Sequence, residues 1–319
     1  MTVTAKPLRV ESLTSIVSRT PLENALRRFI RHRSAQVGFV ILGFMVLVAI
    51  FAPLLAPYSP TEVLKDVKPR TDPCIHAFGC DVNQSQHIFG VDGNRRDMLS
   101  RVIFGSRLSL EIGVATVTFA IIVGTALGAV SGYSGGWVDN TIMRFMDVLL
   151  AFPSLLLSIA IVAVLGPGLI NALLAIAFVS IPVYARIVRA SVLQVKEQDF
   201  VSASRALGAS PLGILATHVL PNAITPIIVQ ATLGIASAIL DAAALSFLGL
   251  GAAPPTPEWG LMLGEERNSL FNAPHLVFIP GIAIMLTVLA FNLLGDGLRD
   301  ALDPRQVNVG KMVSPSKSR

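Results

Sequence analysis

Residues 148 to 185 form a run of 38 residues without a charged side chain. A helix that crosses the hydrocarbon core of a bilayer needs about 20 apolar residues. The run is therefore too long for one crossing and long enough for two. Gly166-Pro167-Gly168 lies near its middle, and this combination is typical of a tight turn. The run predicts two membrane-spanning helices joined by a very short connection.

Four other stretches have the length and composition of a span: residues 37–57, 112–138, 221–240 and 274–294. The chain as a whole is 53% apolar and 14% charged, whereas soluble domains carry about 25% charged residues. This composition excludes a soluble enzyme and a disordered chain. We predict an all-α membrane protein with six transmembrane helices.

These spans divide the chain into five parts. We predict a cytoplasmic N-terminal tail (1–34), a first transmembrane helix (35–57), an extracytoplasmic loop with an amphipathic helix (58–106), a core of five transmembrane helices (107–298) and a cytoplasmic tail (299–319). The first span is longer than the core of a signal peptide, and its basic leader is too long for one. We therefore predict that it is retained.

Charge predicts the orientation. Residues 1–34 contain seven basic and two acidic side chains, a net charge of +5, and residues 186–220 and 296–319 each carry +2. The loop 251–273 carries −2, and residues 58–106 are balanced. Because basic residues favour the cytoplasmic side, both termini and the 186–220 segment are predicted to be cytoplasmic.

Both cysteines, Cys74 and Cys80, fall in the predicted outer loop. An oxidising compartment permits a disulfide between them. Two free thiols, or a metal site that includes His76 and His87, are the alternatives. The spacing matches no standard zinc pattern, and no metal is predicted.

A short segment of the same loop, residues 95–104, alternates apolar and charged positions at helical spacing. It predicts an amphipathic helix lying on the outer membrane surface. The helix either anchors the second span or receives an external protein. Its charged side chains are Arg95, Arg96, Asp97 and Arg101.

Residues 197–221, EQDFVSASRALGASPLGILATHVLP, predict two helices with a turn between them on the cytoplasmic side. Asp199 is suited to cap the first helix, and Gly208 to follow its end. Ser210 and Pro211 suit the N-cap and first position of a second helix that runs to about Leu220. The segment is either an ordinary loop or a docking element that transmits force from a soluble partner.

This segment resembles the EAA loop of permease subunits of ABC importers, in which Glu-Ala-Ala is followed by three residues, a Gly and, further on, Leu-Pro. The corresponding residues here are Ser202, Ala203, Ser204, Gly208 and Leu220-Pro221. Ser202 stands where the pattern has Glu, and Ser204 where it has Ala. The departures concern side chains rather than the helix–Gly–helix form.

Three further stretches resemble the "C"-type permease of dipeptide, oligopeptide and nickel uptake systems. FGVDGNRRDMLSRVIFGSRLSL (89–110) matches its "GTDxxGRDxxSR" region, with Val91 for Thr and Arg95 for Gly. The sequence ALSFLGLG (244–251), followed by PEWG (257–260), and the sequence ALDPR (301–305) match the rest. The resemblance covers nearly the whole chain.

The resemblance implies the type I ABC importer permease fold in a prokaryotic inner or plasma membrane. It also implies a homologous permease, two cytoplasmic ATPases and an extracytoplasmic substrate-binding protein as partners in the lipid bilayer. Transport would follow alternating access, with dipeptides or oligopeptides as substrate, and nickel or another small solute as the alternative. Arg95, Arg96, Asp97 and Arg101 would receive the binding protein. The ATPase-coupling loop would comprise Asp199, Phe200, Val201, Ser202, Ala203, Ser204, Arg205, Ala206, Leu207, Gly208, Ala209, Ser210 and Pro211.

The sequence contains no motor or catalytic motif of its own. Its only Gly-Lys pair, Gly310-Lys311, precedes Met312 and does not form a phosphate-binding loop. No catalytic constellation, cofactor motif or nucleic-acid-binding patch is present, so no enzyme activity or cofactor is predicted. A secondary transporter or channel, the alternative class, usually carries several ionisable residues within its spans. Here the clearest is Asp241, which either lies on the substrate pathway or pairs with a partner subunit.

Overall fold

The computed structural model of the chain describes residues 27–80 and 85–302, and within these ranges its regular structure is helical. The predicted tails therefore lie largely outside the described residues. The helices, in chain order, are α1 (Arg33–Ile50), α2 (Ala52–Leu55), α3 (Met98–Ser134), α4 (Gly136–Leu150), α5 (Ser154–Leu165), α6 (Leu169–Lys196), α7 (Asp199–Ala206), α8 (Pro211–Ile214), α9 (Leu220–Phe247), α10 (Trp259–Glu266) and α11 (His275–Leu302).

Five helices are long and apolar enough to cross a membrane: α1, α3, α6, α11 and the continuous helix Pro211–Phe247. The helices α4 and α5 qualify only as a pair, with a bend of 92° between them. The bend falls at Pro153, which has no backbone N–H and disfavours a helical residue before it. With its 12 residues, α5 is only about 18 Å long and cannot cross the hydrocarbon core alone.

The bent pair nevertheless crosses the molecule as a unit. It starts beside the end of α3, and it ends at a turn where the N–H of Gly168 donates to the carbonyl of Leu250, past the far end of α9. The predicted break between spans three and four is confirmed, since α5 ends at Leu165 and α6 begins at Leu169. The described helices thus provide five spans, or the predicted six when the bent pair counts as one span.

Helices α3 and α6 pack closely through a line of glycines. A Cβ atom at Gly124 would lie 2.6 Å from Cβ of Tyr184, and one at Gly132 would lie 3.0 Å from the carbonyl oxygen of Arg189. Small residues of this kind let membrane helices approach each other. The main core lies where α3, α6 and α9 meet.

Contacts between the ends of the spans show which ends lie at the same face of the molecule. His32, before α1, pairs with Asp300 near the end of α11 at 3.1 Å. At the opposite face, the N–H of Tyr58 donates to Ser100 near the start of α3 at 3.1 Å. Residues 58–97 and 251–273 therefore cover one face, which we call the cap face. The 197–221 loop and both ends of the described chain lie at the other, the loop face.

The amphipathic surface helix predicted at residues 95–104 is not a separate element. Helix α3 begins at Met98 and continues for 37 residues to Ser134, a length of about 55 Å. Asp97 caps it by accepting from the N–H of Ser100 at 2.8 Å. The charged positions that predicted a solvent-facing helix surface instead begin a long span, and most of them point into the protein.

Candidate functional site

The loop face carries the short helix α7, which occupies the predicted place. Its N-cap is Gln198, so the prediction that Asp199 caps it is wrong by one residue. Asp199 is instead the first helical residue, where a carboxylate interacts favourably with the helix dipole. Arg205 lies in the last turn, where a positive charge is favourable for the same reason. The charged side chains at both ends of α7 thus have the signs that stabilise the helix dipole.

Gly208 ends α7 in the conformation expected of it. Its φ is +86°, in the left-handed region that residues with a Cβ atom rarely adopt. The N–H of Gly208 donates to the carbonyl of Arg205 at 3.0 Å, and that of Ala209 donates to Ser204 at 3.2 Å. No atom lies within 4 Å of the position a Cβ atom would take. The requirement for glycine is therefore conformational rather than steric.

The start of the second helix is confirmed. The hydroxyl of Ser210 accepts from the N–H of Gly213 at 3.2 Å, and Pro211 occupies the first helical position. The second helix does not end near Leu220, however. It passes through one π-helical turn, Leu215–Val219, directly into α9. Pro221 lacks the N–H that would continue a regular ladder, and such turns often accompany a local change of pitch.

The 197–221 loop therefore continues into the fifth span through a single π-helical turn. Helix Pro211–Phe247 is continuous over 37 residues, so a displacement of its first turn moves the whole span. Sequence reasoning placed a boundary at Leu220-Pro221 because proline so often ends or begins a helix. Packing on both sides of the π-helical turn overrides that preference.

Val201 anchors α7 to the spans. Its side chain is completely buried in an apolar cluster at the loop face. The buried members of this cluster come from α3, α6, α7 and the start of the fifth span, and they are Ala129, Val188, Val192, Val201, Ile214, Leu215, Val219 and Ile227. Full burial of a Val side chain contributes about 1.5–3 kcal/mol. α7 is thus joined by packing to three spans, α3, α6 and the fifth span.

The opposite side of α7 is open and partly apolar. Leu207 is 88% exposed, Leu212 78% and Phe200 43%. Ser202 and Ala203 are also exposed, so Ser202, at the position of the Glu in the EAA pattern, has no packing role within the chain. Exposed apolar side chains in one small area are typical of a surface that another protein covers.

Sequence reasoning missed an ion pair beside this loop. Arg189 on α6 donates from Nε and Nη2 to the two carboxylate oxygens of Asp139 on α4, at 2.5 and 2.6 Å. The Ser131 hydroxyl also donates to Asp139, and Lys196 donates to the carbonyl of Gly132 at 2.9 Å. These contacts hold the ends of α3, α4 and α6 together. The only sequence signal was the placement of opposite charges at span ends.

On the cap face, two of the three arginines predicted for docking, Arg96 and Arg101, form a buried ion-pair cluster. Arg96 pairs with Asp92 at 2.6 Å and with Glu265 at 2.8 Å. Arg101, which is fully buried, pairs with the same two carboxylates at 3.5 and 3.2 Å. The prediction that Arg96, Asp97 and Arg101 face an external protein is therefore wrong. One acidic partner, Asp92, lies nearby, but Glu265 is more than 160 residues away, so helical periodicity could not reveal the complete cluster.

Arg95 differs from these neighbours. Its side chain is exposed, its φ is +60°, and its carbonyl accepts from the N–H of Leu64 at 2.8 Å. The same cluster continues to Arg70, whose Nε donates to Glu266 at 2.9 Å. Of the four residues predicted for docking, Arg95 is the one whose side chain a partner can reach.

The two cysteines lie next to this cluster. Cys74 and Cys80 are joined by a disulfide, with their Cα atoms 5.4 Å apart. Backbone bonds pair Cys74 with His87, whose Nδ1 lies 2.9 Å from a carboxylate oxygen of Asp97. Among the described residues, no group of three His, Cys, Asp or Glu side chains could hold a metal ion. The bonded sulfurs leave no thiol for a site with His76 and His87.

Glu258 fixes the 251–273 segment against the cap. It is buried at the N-cap of α10 and accepts from the N–H groups of Gly260 and Leu261, at 3.0 and 2.7 Å. Burial raises the pKa of the Glu258 carboxyl, and the two backbone donors oppose that shift. The carboxylate thereby satisfies backbone groups that would otherwise be left without partners.

Asp241 lies on α9, six residues before its last residue. It is half-buried, and no hydrogen bond or ion pair to it occurs within the described part of the chain. An ionisable side chain inside a membrane span usually faces a pathway or a partner. The structure does not bring Asp241 together with the coupling loop or with the cap cluster.

Sequence profiles match two parts of the chain. The profile described as "Binding-protein-dependent transport system inner membrane component" matches residues 124–308. A second, described as the N-terminal TM domain of oligopeptide transport permease C, matches residues 20–73.

Curated relatives match almost all of it. The dipeptide transport system permease protein DppC of Alkalihalophilus pseudofirmus is 48% identical, with 90% of each chain covered. The di/tripeptide transport system permease protein DppC of Pseudomonas aeruginosa is 49% identical over 92% of this chain and 95% of its own. The glutathione transport system permease protein GsiD of Escherichia coli is 47% identical over 90% and 91%.

The fold has a solved counterpart in inward-facing structures of the MetNI methionine ABC transporter. The match has a TM-score of 0.54 at 19% identity and covers 65% of this chain and 98% of that one. At this identity the likeness concerns the fold alone, which is the predicted type I permease fold. Together with the profile and the relatives, it shows that the chain belongs to the inner membrane permease components of binding-protein-dependent ABC transport systems.

Proposed function

We propose that this chain is one of two homologous permease subunits of an ATP-driven importer for short peptides. The relatives named above transport dipeptides, tripeptides or glutathione according to their names. These substrates share a length of two or three residues. The chain has no phosphate-binding loop, so ATP hydrolysis is supplied by two separate cytoplasmic ATPases.

The geometry of the 197–221 loop carries this proposal. Val201 fixes one side of α7 to the spans, while Phe200, Leu207 and Leu212 are open on the other side. An ATPase groove that receives the open side can push α7, and the continuous helix Pro211–Phe247 passes that displacement into the membrane. Docking to an ATPase and movement of a span are thereby linked through one short helix.

The orientation follows from the same assignment. The ATPases are cytoplasmic, so the loop face and both termini lie in the cytoplasm, and the cap face lies outside. The basic charge of the 1–34 and 186–220 segments supports this orientation. Trp137, 79% exposed at the start of α4, is a residue type enriched at membrane interfaces. The membrane is the inner or plasma membrane of a prokaryote.

The cap receives the substrate-binding protein. The buried arginines and carboxylates make the cap a rigid platform, and the disulfide closes the loop that follows Cys74. Contact with the binding protein uses Arg95, since its side chain is exposed. The docking role proposed for the whole 95–101 segment is thus confined to its exposed residue.

Asp241 lies on the substrate pathway and faces the ammonium group at the N-terminus of a peptide. Its lack of a partner within the described residues supports this role, because a carboxylate in a span needs an opposite charge or water. A peptide amino terminus supplies that charge transiently. Asp241 would then bind the substrate weakly enough to release it.

The test is reconstitution of the whole importer in liposomes with its homologous permease, its ATPases and its binding protein. We expect a labelled dipeptide to be taken up only when ATP is present on the same side of the membrane as the ATPases. Uptake should stop when the binding protein is left out. Uptake driven by an ion gradient without ATP would reject the proposal. Competition by glutathione or nickel then ranks the alternative substrates.

A further inference from the structure

An apolar crevice of about 580 Å³ lies between the first and sixth spans near the cap face. It is lined by the second half of α1, the first turns of α3 and residues 279–286 of α11, with Trp259 of α10 against it. It is separate from the coupling loop, from the ion-pair cluster and from Asp241. A cavity of this size is in the range of small-molecule sites.

Water has nothing to bind in this crevice. Among the described lining residues, Ser106 is the one with a hydroxyl group, and this hydroxyl already donates to the carbonyl of Ile103 at 2.6 Å. The indole N–H of Trp259 donates to the carbonyl of Val102 at 3.0 Å. A buried water needs two to four polar partners, and these polar groups are already engaged. The occupant must therefore be apolar.

The crevice extends along the spans from the cap. Residues 279–286 lie four to eleven positions after His275, the first residue of α11. At 1.5 Å per residue, its α11 side lies about 6–16 Å along the helix from the cap end. Phe89 of the cap loop and Leu55 of α2 also line it.

The crevice opens sideways rather than towards water. Phe44 and Ile282 at its edges are 61% and 47% exposed, whereas Met45, Ala283 and Trp259 at its back are buried. The exposed edge continues along α1 and α11 through other exposed apolar side chains, which are Val40, Leu47, Phe278 and Met285. This surface is an exposed apolar flank of two helices that are long enough to span a membrane.

We propose that the crevice binds one acyl chain of a membrane phospholipid as a structural lipid between α1 and α11. The crevice is lined almost entirely by apolar side chains, and its open edge continues along the apolar flank of two spans, so a flexible hydrocarbon chain matches both its chemistry and its access. Filling the crevice restores the dispersion contacts that an empty cavity lacks.

Tryptophan fluorescence provides the test, because the chain has two tryptophans and only Trp259 lines the crevice. Trp137→Phe leaves Trp259 as the single reporter. The full chain is placed in bilayers of dioleoyl phosphatidylcholine, or of the same lipid with brominated acyl chains. Although Trp259 is 1% exposed, we expect at least twofold quenching by the brominated lipid, since bromine enters the crevice.

Two variants on α11 separate the crevice from general lipid contact. Ala283→Leu fills the crevice and should reduce the quenching by half or more. Gly281→Leu adds a side chain where no atom lies within 4 Å, outside the crevice, and should leave the quenching unchanged. If Ala283→Leu does not fold, Ser106→Leu fills the crevice from α3 instead.

Equal quenching in the parent and in the filled variant would overturn the proposal, as would the absence of quenching in the parent. Quenching that disappears when the homologous permease is added would also overturn it, because the partner would then occupy the crevice. Native mass spectrometry gives an independent measurement. One phospholipid mass should remain on the parent and on Gly281→Leu, and be lost from Ala283→Leu.

Discussion

The guanidinium of Arg189 donates hydrogen bonds to both carboxylate oxygens of Asp139, at 2.5 and 2.6 Å, and so joins α4 to α6 beside the 197–221 loop. Planar, two-point pairs of this kind are stronger and more directional than single contacts. Val188 and Val192, on either side of Arg189, belong to the apolar cluster that holds Val201. Displacement of α7 is therefore expected to reach the bent span as well as the fifth span.

Removing one partner of this pair should destabilise the protein. We expect Asp139→Asn or Arg189→Gln to lower the free energy of unfolding by about 1–2 kcal/mol, reduced from the value for a fully buried pair because Arg189 is a third exposed. The double variant should lose less than the sum of the single losses. Thermal unfolding of the purified protein in detergent measures both effects.

The control is the exposed pair between the same two helices, Asp147 and Arg186, which lie 2.7 Å apart. Both side chains are more than half exposed, so Asp147→Asn should change the free energy of unfolding by less than about 0.5 kcal/mol. Equal losses at Asp139 and Asp147 would contradict a special role for the Arg189 pair.

Gly208→Asp should uncouple transport without preventing insertion. With φ at +86°, a residue with a Cβ atom costs about 1–2 kcal/mol there or shifts the turn between α7 and α8. We expect normal amounts of protein in the membrane, low peptide uptake, and ATPase activity that substrate-loaded binding protein no longer stimulates. The measurements are uptake and ATP hydrolysis by the reconstituted importer.

Two comparisons test the reason for that effect. Gly208→Val should be more severe, because a β-branched residue tolerates the left-handed conformation less well than Asp does. Ser202→Ala should be nearly neutral, since Ser202 is exposed and outside the anchoring cluster. Wild-type uptake by Gly208→Asp with its ATPases still bound would show that this loop does not couple them.

Substitution of Arg101 should lower the stability of the protein, whereas substitution of Arg95 should lower its transport activity. Arg101→Met removes one of the two arginines that pair with Asp92 and Glu265, and because Arg96 still pairs with both, we expect a loss of about 3 kcal/mol, at the lower end of the cost of breaking a buried ion pair. Arg95→Glu should leave thermal stability unchanged and weaken uptake, because Arg95 is exposed. Binding-protein titration of the uptake rate distinguishes a docking defect from a loss of protein.

Asp241→Asn should slow the transport of peptides that have a free amino terminus. Loss of the carboxylate removes the attraction to the ammonium group while keeping the size of the side chain. We expect severalfold lower uptake of a dipeptide, and a smaller change for its N-acetylated form. ATP hydrolysis by the complex without substrate should remain as in the wild type. Equal effects on both peptides would instead place Asp241 at a contact with the partner permease.

The cysteines report the orientation of the cap. A membrane-impermeant maleimide should label Cys74 and Cys80 in intact cells after mild reduction, and not before it, because the two sulfurs are bonded. Labelling without reduction would contradict the disulfide. Labelling that requires lysed cells would place the cap in the cytoplasm and reverse the topology.

Much of this architecture follows from the sequence because it depends on local physics. A span needs a long apolar run, and the break at Gly166-Pro167-Gly168 needs only residues that cannot continue a helix. The same holds for Gly208 and Ser210, whose roles depend on the backbone conformation of a few neighbouring residues. The helix–turn–helix of the 197–221 loop could therefore be located, and its turn described, from the residues alone.

Tertiary structure decided the features that depend on residues far apart in the chain. Arg96 and Arg101 looked solvent-facing until the fold brought Glu265 to them, and burial of a charge is stable only when such partners surround it. The continuity of α8 with α9 likewise follows from packing that overrides the local preference of Pro221 to begin a helix. Periodicity records which face of a helix is apolar, whereas only the folded chain determines what that face meets.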